Sequence, residues 1–98
     1  MQRRLDNKGR ITIPISLFRK LGFDDKQLVE ITVEYGKICL KKFYKFCIQD
    51  IAFIGIVRPL DAYRRLNIPV DYLKILDIDL GYSFEVTFDE FEEKIVLS

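Results

Sequence analysis

The strongest constraint on this chain is that it repeats itself. The segment Arg3-Arg4-Leu5-Asp6-Asn7-Lys8-Gly9-Arg10-Ile11-Thr12-Ile13-Pro14 returns fifty-five positions later as Arg58-Pro59-Leu60-Asp61-Ala62-Tyr63-Arg64-Arg65-Leu66-Asn67-Ile68-Pro69. In the same register Leu21 meets Leu76, Asp24 meets Asp79, Glu30 meets Glu85 and Thr32 meets Thr87. Near the end of each copy the register slips by two, so that Lys37-Ile38-Cys39-Leu40 answers Lys94-Ile95-Val96-Leu97. A slip of that kind belongs in a turn. A repeat of this length is one supersecondary unit whose apolar face it cannot bury alone, so two copies are expected to complete one core between them. With 98 residues, 49% of them hydrophobic, the chain has room for one small domain and not for two independent ones. The expectation is a single domain over 1–98, a fused pseudo-dimer. Its parts are a first repeat at 1–42, an apolar connector at 43–54 and a second repeat at 55–98.

Hydrophobic patterning gives each copy the order β-β-α-β-β. In the first, residues 2–6 suit a strand, Asn7-Lys8-Gly9 a turn, and 10–14 a second strand with Ile11 and Ile13 on one face. Pro14 ends that strand and favours the first turn of a helix over 15–21, with Ser16 as capping hydroxyl, Leu17 and Leu21 facing inward and Gly22 as the stop. Residues 28–34 alternate as a strand, Tyr35-Gly36 turn, and 37–42 return as a hairpin partner. The second copy repeats this with strands at 57–60 and 65–68, a helix at 70–76, and strands at 82–88 and 95–97. The connector holds Phe43, Tyr44, Phe46, Ile48, Ile51 and Phe53, too apolar for a flexible linker, and its spacing suits helix and strand alike.

Composition excludes several functions. The chain has no histidine, hence no ordinary Ser/His or Cys/His relay and no imidazole ligand, and its glycines form no phosphate loop. No enzyme, cofactor or metal site is expected; the acidic run Asp89-Glu90-Phe91-Glu92-Glu93 reads as a solvated hairpin tip. Cys39 and Cys47 read as reduced structural thiols, with a Cys39–Cys47 disulfide as the alternative. No apolar run approaches the roughly 20 residues of a membrane span, and the start Met-Gln-Arg-Arg lacks a signal-peptide core, so a cytoplasmic location is expected. The net charge of +1 hides a division. Residues 1–47 carry eleven Lys/Arg against five Asp/Glu, while 48–98 carry five against ten. A basic half can face phosphate whatever the total, because fields act within a Debye length of about 8–10 Å.

The pattern Arg-x-Leu-Asp-x-x-Gly-Arg-Ile-x-Ile-Pro, then a Leu-containing helix, Leu-Gly-Phe, and a Val-Glu-Ile-x-Val hairpin ending Lys-Ile-x-Leu-Lys-Lys, resembles the AbrB/SpoVT/MazE family. The resemblance covers about 3–42 and, more loosely, 55–97. It implies a mostly β fold with two short helices, a swapped-hairpin β-barrel in which two copies interleave; a cradle-loop or double-psi barrel is the alternative. It also implies a double-stranded DNA-binding transcriptional regulator of the prokaryotic cytosol or nucleoid, able to form homo-oligomers. The family's DNA-facing arginines would fall on Arg3, Arg10 and Arg19, with Arg4, Lys8 and Lys20 beside them, and on Arg58 and Arg65 in the second copy, where Lys74 takes the place of Arg19. Physical chemistry agrees: Arg3 and Arg10 flank one turn, so pairing of their strands would hold two guanidinium forks together on an exposed ridge, suited to phosphate or guanine edges. Arg19 and Lys20 lie opposite Leu17 and Leu21 on the helix.

The second copy departs from this pattern. Arg64 replaces Gly9, which costs about 1 kcal/mol if the turn needs positive φ. Pro59 removes a strand donor, Asp71, Asp77 and Asp79 add acid, and in the first copy Phe18 stands where an additional Arg is common in the family. Asp6 and Asp61 read as structural carboxylates that accept turn N–H groups or pair with arginine. Phe18, Phe23, Tyr35, Phe84, Phe88 and Phe91 read as core or interface. The rival to DNA binding is a protein-interaction or oligomerisation module whose acidic second repeat takes a protein partner, with an antitoxin as a variant.

Overall fold

The computed structural model describes residues 1–44 and 55–98. Ten elements follow in order: β1 (Gln2–Arg4), β2 (Arg10–Thr12), α1 (Ile15–Lys20), β3 (Leu28–Glu34), β4 (Lys37–Lys42), β5 (Ile56–Pro59), β6 (Arg65–Asn67), α2 (Val70–Ile75), β7 (Ser83–Asp89) and β8 (Lys94–Leu97). The fold is mostly β, antiparallel, with two short helices. Strands of 82–88 and 95–97 in the sequence reading shift by a single residue, and the helices stop one residue early, at Lys20 and Ile75.

The first two strands of each half find their partners in the other half. The main sheet has the order β1-β7-β8-β4-β3-β5, so the first strand of each half pairs with the hairpin of the other. Registers match position for position: Arg3 lies opposite Phe84 and Arg58 opposite Val29, each pair being the other moved by fifty-five residues. The same holds for the bonds Leu5 N–H to Tyr82 O (2.8 Å) and Leu60 N–H to Gln27 O (2.9 Å). Two pairings are self-equivalent, Ile11 opposite Leu66 in the β2-β6 ribbon and Cys39 opposite Val96 in β4-β8. An approximate twofold axis therefore runs through both. Cys39 and Val96 correspond only with the two-residue slip, which the longer turn before Lys94 absorbs.

Among the described residues no sheet closes on itself, in place of the closed barrel expected from the sequence. β2 and β6 leave the main sheet and pair with each other, which makes β1 and β5 its two ends. Pro59 sits on the end strand β5 and is exposed, where a missing N–H is tolerated. Gly55 enters β5 at close range: a Cβ there would lie 2.8 Å from Ile31 O and from Thr32 Cγ2.

One core fills the space between sheet, ribbon and helices. Leu5, Ile11, Ile13 and Leu17 meet Leu60, Leu66, Ile68 and Leu73 there, with Phe23 and Phe84. Phe18 and Phe88 pack against this cluster, but Tyr35 and Phe91 are exposed at the two hairpin tips and so are not core. Both lie beyond the last ladder pair of their hairpins, Glu34 with Lys37 and Asp89 with Lys94. Ser16 does not cap α1. Its N-cap is Pro14, whose carbonyl accepts from Leu17 and Phe18 (3.0 Å each). Gly22 ends the helix at φ +66, with Phe23 N–H returning to Phe18 O (3.0 Å), and Asp77 adopts the same left-handed backbone after α2. Cys39 is buried, and burial followed by the nearby Glu34 carboxylate pushes its thiol pKa up. Cys47, the alternative disulfide and most of the connector lie outside the described residues.

Candidate nucleic-acid interface

Strand alternation places the candidate side chains of the ribbon. In β2 and β6 the central residues Ile11 and Leu66 point into the core, so Arg10, Thr12, Arg65 and Asn67 share the opposite, solvent-facing side. Arg10 lies across from Asn67, and Thr12 across from Arg65. The two arginines are thus diagonal neighbours on a single face built by both halves. The expected pairing of β1 with β2 does not form, so it does not bring Arg3 and Arg10 together. The turn begins as a hairpin, with Asp6 N–H donating to Arg10 O (2.9 Å), but β1 then runs on to β7, where Arg3 Nη1 donates to Gln2 O (2.7 Å).

Each ribbon arginine is held by a carboxylate four residues earlier. Asp6 Oδ1 accepts from the backbone of Lys8 (2.9 Å) and Arg10 (2.8 Å), and Oδ2 accepts from Arg10 Nε (2.8 Å). Asp61 does the same for Tyr63 (2.8 Å), Arg65 (2.9 Å) and Arg65 Nε (2.6 Å). Burial pushes both carboxyls up in pKa, but the N–H groups and guanidinium outweigh it and hold them below the ordinary value. The clamp uses Nε and so orients each guanidinium, leaving the Nη edge for a ligand. Both aspartates have the structural role read from the sequence.

The turns themselves match. Gly9 has φ +76 and Arg64 φ +61, and each turn closes with an N–H to the aspartate carbonyl at 3.1 Å. Arg64 therefore accepts the left-handed backbone without reshaping the loop, and its carbonyl takes Ile13 N–H (2.8 Å) as Gly9 O takes Ile68 N–H (2.8 Å). Around this frame Arg58 Nη1 donates to Asn67 Oδ1 (2.9 Å) and Asn67 Nδ2 to Lys8 O (3.2 Å). The Tyr63 ring lies 4.9 Å from the Arg65 guanidinium carbon. Asn67, Thr12 and Tyr63 escaped sequence reasoning. Tyr63 had a signal, the two-residue spacing to Arg65; Asn67 and Thr12 had none, because their importance comes from pairing between distant segments.

The remaining candidates spread away from the ribbon. Arg4 Nε donates to Gly81 O (3.0 Å). Arg19 is exposed in the last turn of α1, and Lys74 in that of α2. Lys20 is exposed and has a partner that the sequence did not announce. Its Nζ pairs with Glu90 Oε1 (2.8 Å) and lies 4.8 Å from the Phe88 ring, because the acidic hairpin tip of the second half reaches the helix of the first. The pair is exposed and therefore weak. At the base of the same hairpin, buried Lys94 is held by Glu92 (2.7 Å) and by Glu34 of the first half (3.2 Å). Among the described residues no group of His, Cys, Asp and Glu is arranged to hold a metal ion, and no helix is long and apolar enough to cross a membrane.

Comparison with known proteins gives this geometry a context. Residues 2–44 match the family model described as "Antidote-toxin recognition MazE, bacterial antitoxin". Transition state regulatory protein AbrB of Bacillus subtilis (strain 168) is 49% identical over 41 residues. The first half is therefore similar to MazE/AbrB-type domains. The alignment covers 42% of this chain and 43% of AbrB, so it spans less than half of that relative, and the family match leaves residues 45–98 outside it. Arg3, Arg4, Lys8, Arg10, Arg19 and Lys20 all fall within the matched segment. No solved structure matches the chain.

Proposed function

We propose that the chain is a double-stranded DNA-binding transcriptional regulator of the cytoplasm, in which two MazE/AbrB-like units in tandem share one binding face. The observation that carries this reading is the β2-β6 ribbon: two arginines from different halves on one solvent face, each oriented by an aspartate clamp. A two-stranded ribbon fits the major groove, where an arginine fork can take a phosphate or the O6/N7 edge of guanine. The exchange of first strands between halves supports a swapped-hairpin relation of the two units, and the name of the Bacillus relative supports a regulatory role. Arg10 and Arg65 carry the contacts, Arg58 and Lys8 extend them, and Arg3, Arg4 and Arg19 reach the flanking backbone.

Fluorescence anisotropy of mixed-sequence and A·T-rich duplexes across a salt series tests this. Wild type should bind with steep salt dependence, and Arg10→Ala and Arg65→Ala should each lose about 5- to 150-fold, as expected for one good bidentate contact. Absence of binding at low salt would overturn the reading. A second reading, protein recognition, is favoured by one observation. The first half's Lys20, Asp25 and Gln27 correspond to Ile75, Leu80 and Tyr82, all exposed among Asp71, Asp77 and Asp79. A chain that ignores DNA but loses a protein partner on Ile75→Asp would belong to that class, which agrees with the antitoxin description of the matched family.

A further inference from the structure

A twofold-symmetric reader asks for a palindromic site, because each half of the protein meets an identical half-site. Here the backbone is close to twofold but the chemistry around it is not. Arg10 and Arg65, with their clamps at Asp6 and Asp61, are equivalent in register and in hydrogen bonding. At the outer end of each turn stand Lys8 and Tyr63, which occupy equivalent places and are both exposed. Lys8 is a mobile point charge with donors only, which suits phosphate and carries little base preference. Tyr63 is a flat ring held against the Arg65 guanidinium at 4.9 Å, uncharged, with one hydroxyl at its rim. Such a ring can meet a thymine methyl or a sugar and can exchange a hydrogen bond with a base edge, and it restrains Arg65 against swinging out to the backbone. Across the ribbon the asymmetry continues, since Arg10 faces Asn67, which Arg58 engages, while Arg65 faces Thr12.

From this we infer that the ribbon reads a non-palindromic duplex, with Lys8 and Tyr63 setting its two half-sites apart. The inference rests on the DNA-binding reading above and deepens it by naming the class of site. Covalent joining is what permits it. Two identical chains must present two identical ends, whereas one chain carrying both units fixes one end of each kind and so gives the complex a single orientation on its site.

The test is selection from a randomised duplex pool with the full chain, followed by anisotropy on the enriched sequence and on the two inverted repeats made from its left and right halves. Wild type should enrich a non-palindromic sequence and bind each inverted repeat at least about 5-fold more weakly, the loss from a single mismatched base pair. The triple variant Ala62→Asn, Tyr63→Lys, Arg64→Gly gives both turns the same residues and should instead prefer one of the inverted repeats. Tyr63→Lys alone, at an exposed position, should change the preference at one half-site only, and it serves should the triple variant fold poorly by circular dichroism. A palindrome enriched by wild type, an unchanged preference in Tyr63→Lys, or salt-sensitive binding with no sequence enriched would overturn the inference and leave DNA binding standing. No duplex binding at low salt would overturn both.

Discussion

Removing the Asp6 clamp isolates the energy that orients the ribbon arginine. Asp6→Ala deletes three acceptor contacts of unequal weight. The Lys8 N–H is exposed and is taken up by water. The Arg10 N–H is partly buried, and leaving it unpaired costs about 1–2 kcal/mol. The Arg10 ion pair adds about 0.2–1 kcal/mol, kept at the surface value because both side chains are about a third exposed. The sum is about 2 kcal/mol. Asp6→Asn keeps an acceptor for the backbone and loses only the charge, so it should cost about 0.2–1 kcal/mol. Urea unfolding checks both, with the midpoint falling and the slope unchanged. The sign of the pH dependence follows from the lowered carboxyl pKa. Protonation is harder in the folded state, so the stabilisation is present above the ordinary carboxyl pKa of about 4 and is lost as pH falls through the folded value. The gap between wild type and Asp6→Asn should therefore close below about pH 4. Loss of less than about 0.5 kcal/mol in Asp6→Ala, equal losses in Ala and Asn, or a gap that widens in acid would refute the clamp.

Three further outcomes follow from the same structure. Leu66→Ala, at the fully buried centre of the ribbon, should cost about 2–5 kcal/mol in urea unfolding. Gly55→Ala forces a methyl to within 2.8 Å of the β3 backbone, and overpacking of that kind should lower stability by about 1–3 kcal/mol. Lys94→Met should cost about 1–2 kcal/mol and raise the Glu34 carboxyl pKa toward its ordinary value as followed by NMR titration, though not fully, because the Thr32 hydroxyl at 2.7 Å is its first support, acting against burial and ahead of Lys94.

How much of this was legible in the residues depends on the range of the interaction. Element order, the positive-φ turn at Gly9, the stop at Gly22 and the carboxylate role of Asp6 and Asp61 all appear in the sequence, since each concerns atoms within about five positions of one another. The arginine ridge did not. Arg3 and Arg10 flank one turn and invite pairing, yet Arg10 shares its face with Arg65, fifty-five residues away. Lys20 likewise meets Glu90, seventy residues distant, a contact that no local pattern announces.

By itself, the sequence determined a pattern written twice and which side of a strand such as β2 faces inward, because alternation with period two is written in neighbouring residues. It did not determine which edge meets which. A strand's hydrogen-bonding groups are the same whatever its side chains, so the choice between pairing within a unit and across units is made only when both units pack around one core. That choice, settled in tertiary structure, sends β1 to β7, β5 to β3 and β2 to β6, leaves the sheet open, and places one arginine from each half on a common face.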